Sequence, residues 1–156
     1  MLRDSDVEKK KVKNKSWDAC ALAEEKFLAA GGKIFCWEMG LHTEAVFFLY
    51  STDDNVRAMV DYAEEELGAE AIAEDVSNFG AGTKIGDIKA KWPAGTVSLK
   101  HREILGLCAN KRGWFKRIDR YEYITSEILL PAIKDNTIHN SYLRKILLKI
   151  TQWSVE

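Results

Sequence analysis

The residues able to do chemistry are few and far apart. Three cysteines (Cys20, Cys36, Cys108) and three histidines (His42, His101, His139) are the soft ligands and nucleophiles of this 156-residue chain. Zinc sites draw such ligands from pairs about two to five residues apart, and no two of these are that close, so no metal site is predicted. His101 and Cys108 are separated by about two helical turns, roughly 10 Å of rise, and cannot meet on one helix. Cys36 and His42 flank a predicted turn and are the one conceivable thiolate–imidazole pair, the basis of a minority reading as a small Cys/His-dependent enzyme. Cys36 sits in an apolar run, which raises a thiol pKa rather than activating it. Glu38 and Glu44 beside the same turn are the carboxylates with apolar and titratable company. The glycine-rich stretch Phe79–Gly86 has Thr83-Lys84 in the reverse of the order a phosphate-cradling loop uses, and reads as a turn. No catalytic residue and no cofactor is assigned. Cysteines odd in number and widely spaced argue against a disulfide framework and for a reducing, cytoplasmic setting.

Charge is the stronger signal. Residues 16–87 hold four basic and fifteen acidic side chains, whereas residues 88–156 hold thirteen basic and six acidic. The basic part contains Arg102–Ile118, REILGLCANKRGWFKRI, in which Ile104, Leu105, Cys108, Phe115 and Ile118 take buried positions and Ala109 a small-residue turn position. In that pattern the stretch resembles a helix-turn-helix, although Asn110 and Leu105 depart from it. The resemblance implies a helix over Gly113–Tyr121 offered to a nucleic-acid groove. Lys111, Arg112, Trp114, Lys116, Arg117 and Arg120 are then the predicted contacts, cations for phosphate and an indole for base stacking. The alternative is a protein-binding module of inhibitor, immunity or antitoxin type, or an assembly subunit, meeting its partner through Glu64, Glu65 and Glu66. No run approaches the ~20 apolar residues of a membrane span, so no membrane partner is expected.

The elements that must position these groups centre on Lys33–Ser51, KIFCWEMGLHTEAVFFLYS. It reads as two strands joined around Gly40–Thr43, apolar on both faces and in need of cover on both. Before it lie a basic arm over residues 1–15 and a helix from Ser16 to Gly31-Gly32. After it, Val56, Met59, Val60, Ala63 and Leu67 mark one face of a helix opened by Ser51–Asp54 and closed by Gly68. Residues 69–76 read as a further strand, with a helix face also available, and Asp87–Trp92 as an edge strand guarded by Lys89 and Lys91. From Ser98 the pattern is helical, with Pro131 expected to end or kink its helix. A broad apolar face on Ile138–Ser154 suits two neighbours or a second copy of the chain. The fold class predicted is α+β, a small, mainly antiparallel sheet around the central hairpin with a helical basic C-terminal half. In domain terms this is an arm (1–15) and a single domain (16–156), its sheet-forming half 16–96 and its helical half 97–156.

Overall fold

The computed structural model describes residues 2–3, 25–33, 35–37, 41–135, 143–145 and 148–149. The chain divides into two compact units, Met1–Thr43 and Glu44–Glu156. The predicted arm, the start of the first helix and most of Ile138–Ser154 lie outside the described residues.

In the first unit, strand β1 (Leu2–Arg3) pairs in parallel with β2 (Phe35–Cys36), Leu2 opposite Phe35. The chain is helical over 25–29 and stops at two glycines. Gly31, at φ +84°, donates to Leu28 O and Gly32 to Phe27 O, two bonds that satisfy carbonyls at the helix end. Trp37 is buried, and its indole N–H donates to Thr43 Oγ1 at 2.9 Å.

Every regular element among the described residues of the second unit is a helix, which overturns the α+β prediction. The supposed second strand of the hairpin is helix α1 (Thr43–Tyr50), with Glu44 through Phe48 all buried. A run that is apolar at every position has no period, so it cannot separate a buried strand from a buried helix. The need for cover on every side was read correctly, but a helix inside other helices meets it as well as a strand between layers. Helix α2 (Asp53–Leu67) matches its predicted stripe: Thr52 caps it by accepting from Asn55 N at 3.1 Å, and Val56, Met59, Val60 and Ala63 are buried. The segment 69–76, read as a strand, belongs to helix α3 (Ala69–Phe79), which buries Ile72, Asp75 and Val76. The 3.6-residue pattern prevails because the described residues of the second unit hold no strand for the alternating one to pair with.

The predicted edge strand at Asp87–Trp92 is likewise replaced by helix α4 (Ile85–Lys89) and a 3₁₀ turn (Trp92–Ala94). Of its alternating apolar set, Ile88 is fully buried and Ala90 is exposed. Helix α5 (Leu99–Arg112) starts at Ser98, whose hydroxyl accepts from His101 N, and ends at Gly113 in the left-handed conformation (φ +67°). The helix predicted over Gly113–Tyr121 does not begin until Ile118: α6 spans Ile118–Tyr123. Trp114 and Phe115 sit in the intervening turn, both fully buried, because two large aromatics directly after a left-handed glycine anchor a chain reversal. Pro131 does not end its helix. The turn before it widens to a π segment (Ile124–Leu129), in which Leu130 N reaches back to Thr125 O, and α7 (Leu130–Lys134) follows.

Helix α3 packs against α2, α4 and α5, and the π segment against α2. Phe48, Trp114 and Phe115 form one aromatic cluster, with ring centroids 6.2–6.3 Å apart. Helices α1 and α5 cross where a Cβ on Gly106 would stand 2.9 Å from Ala45 Cα. Arg102 locks the α1–α2 corner by donating to the carbonyls of Phe48, Ser51 and Val97 and to Asp53 Oδ1. The same Asp53 oxygen accepts from Val97 N. One guanidinium thus serves orphan carbonyls at the end of α1 and a carboxylate at the start of α2.

Candidate functional site

Helix α5 carries most of the candidate chemistry, and its two ends are built differently. At the C-terminal end the buried Asp75 of α3 gathers three groups. Its Oδ1 accepts from Arg112 Nε at 2.6 Å, its Oδ2 from Trp114 Nε1 at 2.9 Å, and its carbonyl from the Cys108 thiol at 3.6 Å. The Arg112 guanidinium also lies 5.6 Å from the centre of the Phe79 ring. On α6, Arg120 is nearly buried and donates to Glu66 Oε2 at 3.1 Å. Arg117 and Asp119 form an exposed pair at 2.7 Å, and the Arg117 hydrogen bonds hold the Asp119 carboxyl below its usual pKa. Lys111 and Lys116 are exposed and have no carboxylate partner among the described residues.

The six predicted nucleic-acid contacts therefore fall into three groups. Trp114 is a core residue whose ring faces are closed to bases, and Arg112 and Arg120 are tied to carboxylates of α3 and α2. Lys111, Lys116 and Arg117 remain on the surface. The acidic trio divides as well: Glu64 accepts from Lys89 at 2.5 Å, Glu66 from Arg120, and Glu65 is exposed. Burial alone would lower the Lys89 pKa, but its bonds to Glu64 and Asp61 outweigh that and raise it.

Of the cysteine side chains, the one described is that of Cys108. Cys108 is fully buried, and burial, followed by the charge of Asp75, pushes its thiol up to about 11, the reverse of nucleophilic activation. Glu44 is buried and accepts from Asn110 Nδ2 at 3.2 Å. That bond explains the polar residue at a position the helix-turn-helix pattern keeps apolar. Cys20, Glu38 and His139 lie outside the described residues. Among the described residues, no group of three His, Cys, Asp or Glu side chains converges as a metal site would require, and no helix is long and apolar enough to cross a membrane.

The N-terminal end of α5 holds an arrangement the sequence reading passed over. A cleft of about 490 Å³ is lined there by Gly82, Thr83, Asp87, Lys91, Lys100 and His101. The glycine-rich turn supplies one wall through Gly82, in the left-handed region at φ +85°, and Thr83. The first turn of α5 supplies another. His101 is 8% exposed, and its ring has no hydrogen-bond partner among the described residues. Burial first, then the charges of Lys91 and Lys100, hold its imidazole below the usual histidine pKa, so it is neutral at neutral pH. The sequence signal was the glycine-rich stretch itself. What it lacked was the return of the chain, which brings Lys100 and His101 beside Thr83. Comparison with protein-family models, curated proteins and solved structures finds no match to this chain.

Proposed function

We propose that this is a non-catalytic binding protein whose partner is anionic, with nucleic acid the first choice, contacted at the turn between α5 and α6. The observation that carries this reading is the exposure of Lys111 and Lys116 on either side of Gly113, with no carboxylate among the described residues to neutralise them. Arg117 joins them, because an exposed pair such as Arg117–Asp119 is worth about 0–1 kcal/mol and can be exchanged for a phosphate. Trp114 is withdrawn from the surface, so base stacking drops out and phosphate contact remains. That favours binding without sequence preference.

The test is the salt dependence of binding to a duplex of arbitrary sequence. Two or three phosphate contacts give a slope of log affinity against log salt of roughly −1.8 to −2.7, at −0.9 per contact. The two further guanidinium groups, Arg112 and Arg120, would steepen it only if the Asp75 and Glu66 pairs opened. Binding that is insensitive to salt, or that survives replacement of Lys111 and Lys116 by glutamine with its slope unchanged, removes the reading.

A further inference from the structure

We propose that the cleft at the N-terminal end of α5 is a binding site for a small, hydroxyl-bearing phosphate monoester, held by Lys91, Lys100, His101 and Thr83. Exposed lysines alone would not mark a site. His101 does, because it is less than a tenth exposed, its ring bonds to nothing among the described residues, and its nitrogens stay open to a ligand. Its accessible edge lines the cleft.

The other groups agree in sign. Lys91 and Lys100 make no ion pair among the described residues, and the start of a fourteen-residue helix adds the positive end of its dipole. Two ammoniums, an imidazole N–H and a hydroxyl are donors enough for the several acceptor oxygens of a phosphate, more than a carboxylate presents. Asp87 is the opposing charge on the wall, and as an acceptor it suits a hydroxyl of the ligand's body. The volume, about 490 Å³, falls within the roughly 300–1,000 Å³ of small-molecule sites and leaves room for that body. This site stands apart from the nucleic-acid reading, since Lys100 and Lys111 are separated by roughly 16 Å of helix.

Ribose 5-phosphate, inorganic phosphate and ribose, titrated calorimetrically into the full chain at low salt, make the test, with the His101 ring followed by NMR. Ribose 5-phosphate is expected to bind about tenfold more tightly than inorganic phosphate, and ribose not at all. The His101 titration midpoint should rise on binding, because the phosphate offsets Lys91 and Lys100 while Asp87 stays in place. Replacing Lys91 or Lys100 by methionine should weaken binding about tenfold each, the scale of a lost charge-assisted bond. Asp87→Asn should narrow the preference for the sugar phosphate. Lys111→Met should change none of this, so the site and the nucleic-acid surface succeed or fail separately. The proposal is overturned if neither phosphate moves the His101 resonances at roughly 10 mM, a concentration that would saturate even a millimolar site. It is equally overturned if a folded chain carrying both Lys91→Met and Lys100→Met binds as the parent does. These lysines are exposed, so that variant tests the site without depending on how the core tolerates a change at His101.

Discussion

The two ends of α5 handle the same kind of residue in opposite ways. At the C-terminal end, Arg112, Trp114 and Cys108 all turn inward to one buried aspartate, and Arg120 to Glu66. At the N-terminal end, Lys91, Lys100 and His101 gather around a cleft without a protein partner for any of their charged or polar ends among the described residues. The difference follows from what faces each end. Asp75 projects from the middle of α3, where its neighbours are core residues. A buried carboxylate must be matched by donors, and the guanidinium and indole match it. What faces the N-terminal end is Thr83, backbone and the exposed Asp87, whose carboxylate pairs with neither lysine. Cation-rich sequence is therefore a poor guide to a cation-rich surface, and residues that looked functional at one end are what hold the fold together.

The sharpest way to break this comparison is to remove the anchor. Asp75→Ala leaves the Trp114 N–H buried without an acceptor and deprives Arg112 of its partner. The expected loss is about 3 kcal/mol, in the range for breaking a buried pair or leaving buried donors unmatched. For a unit of this size that corresponds to a fall in thermal midpoint of roughly 10–20 °C. In a Trp114→Phe background the same substitution should cost measurably less, and a double-mutant cycle on thermal or urea unfolding checks it. Full additivity would mean that the indole–carboxylate bond contributes nothing.

Between the two ends, Gly106 sets how closely α1 approaches α5. Gly106→Ala gains about 1 kcal/mol of helix propensity but drives a methyl to 2.9 Å from the Ala45 backbone, so one helix must move. A net loss of about 1–2 kcal/mol in urea unfolding is expected. Ala45→Gly should not restore it, because the obstructing atom is Cα and not the methyl group.

How much of this was legible depended on whether a local pattern was enough. The opening of α2 at Ser51–Asp54, its apolar stripe and the helical start at Ser98 could be read because each rests on residues within a few positions of one another. Helix α1 could not, since AVFFLY is apolar throughout and its identity is decided by what surrounds it. The partition of the cations was equally hidden. Arg112 and Asp75 are 37 positions apart, and Arg120 and Glu66 are 54, so neither pair leaves a trace in spacing. The cleft escaped for the same reason. Its glycine-rich wall was noticed and set aside because the motif order was wrong, while His101 and Lys100 arrive from a later helix.

Surface lysines at the C-terminal end should be nearly silent in stability. Lys111→Gln with Lys116→Gln is expected to change unfolding free energy by no more than about 0.5 kcal/mol. The same pair should flatten the salt slope of duplex binding by about 1.8, or 0.9 for each lost contact. A large destabilisation instead would mean that these side chains are structural too, and the C-terminal end would then have no free cations to offer.

The smallest effect sharpens the other side of the comparison. His101 is held below its usual pKa in the folded chain, by burial and by Lys91 and Lys100, so on acidification the unfolded chain takes up a proton at this position before the folded one does. The unfolded state then binds more protons, and stability contributed by the neutral ring at higher pH is lost as pH falls through the unfolded histidine value, about 6.5, toward the lower folded value. A shallow decline in urea midpoint across that window is expected for the parent, and a flatter one for His101→Gln relative to its own value at pH 7.5. Neutralising Lys91 and Lys100 by methionine should move the folded midpoint of the ring upward and shrink the decline, with Asp87 unchanged. The same substitutions at Lys111 and Lys116 should leave the profile as it was, since they lie at the far end of α5. If the His101 ring titrates at the same pH with and without Lys91 and Lys100, the two lysines do not act on it, and the cleft loses the electrostatic concentration that sets it apart from the opposite end of the helix.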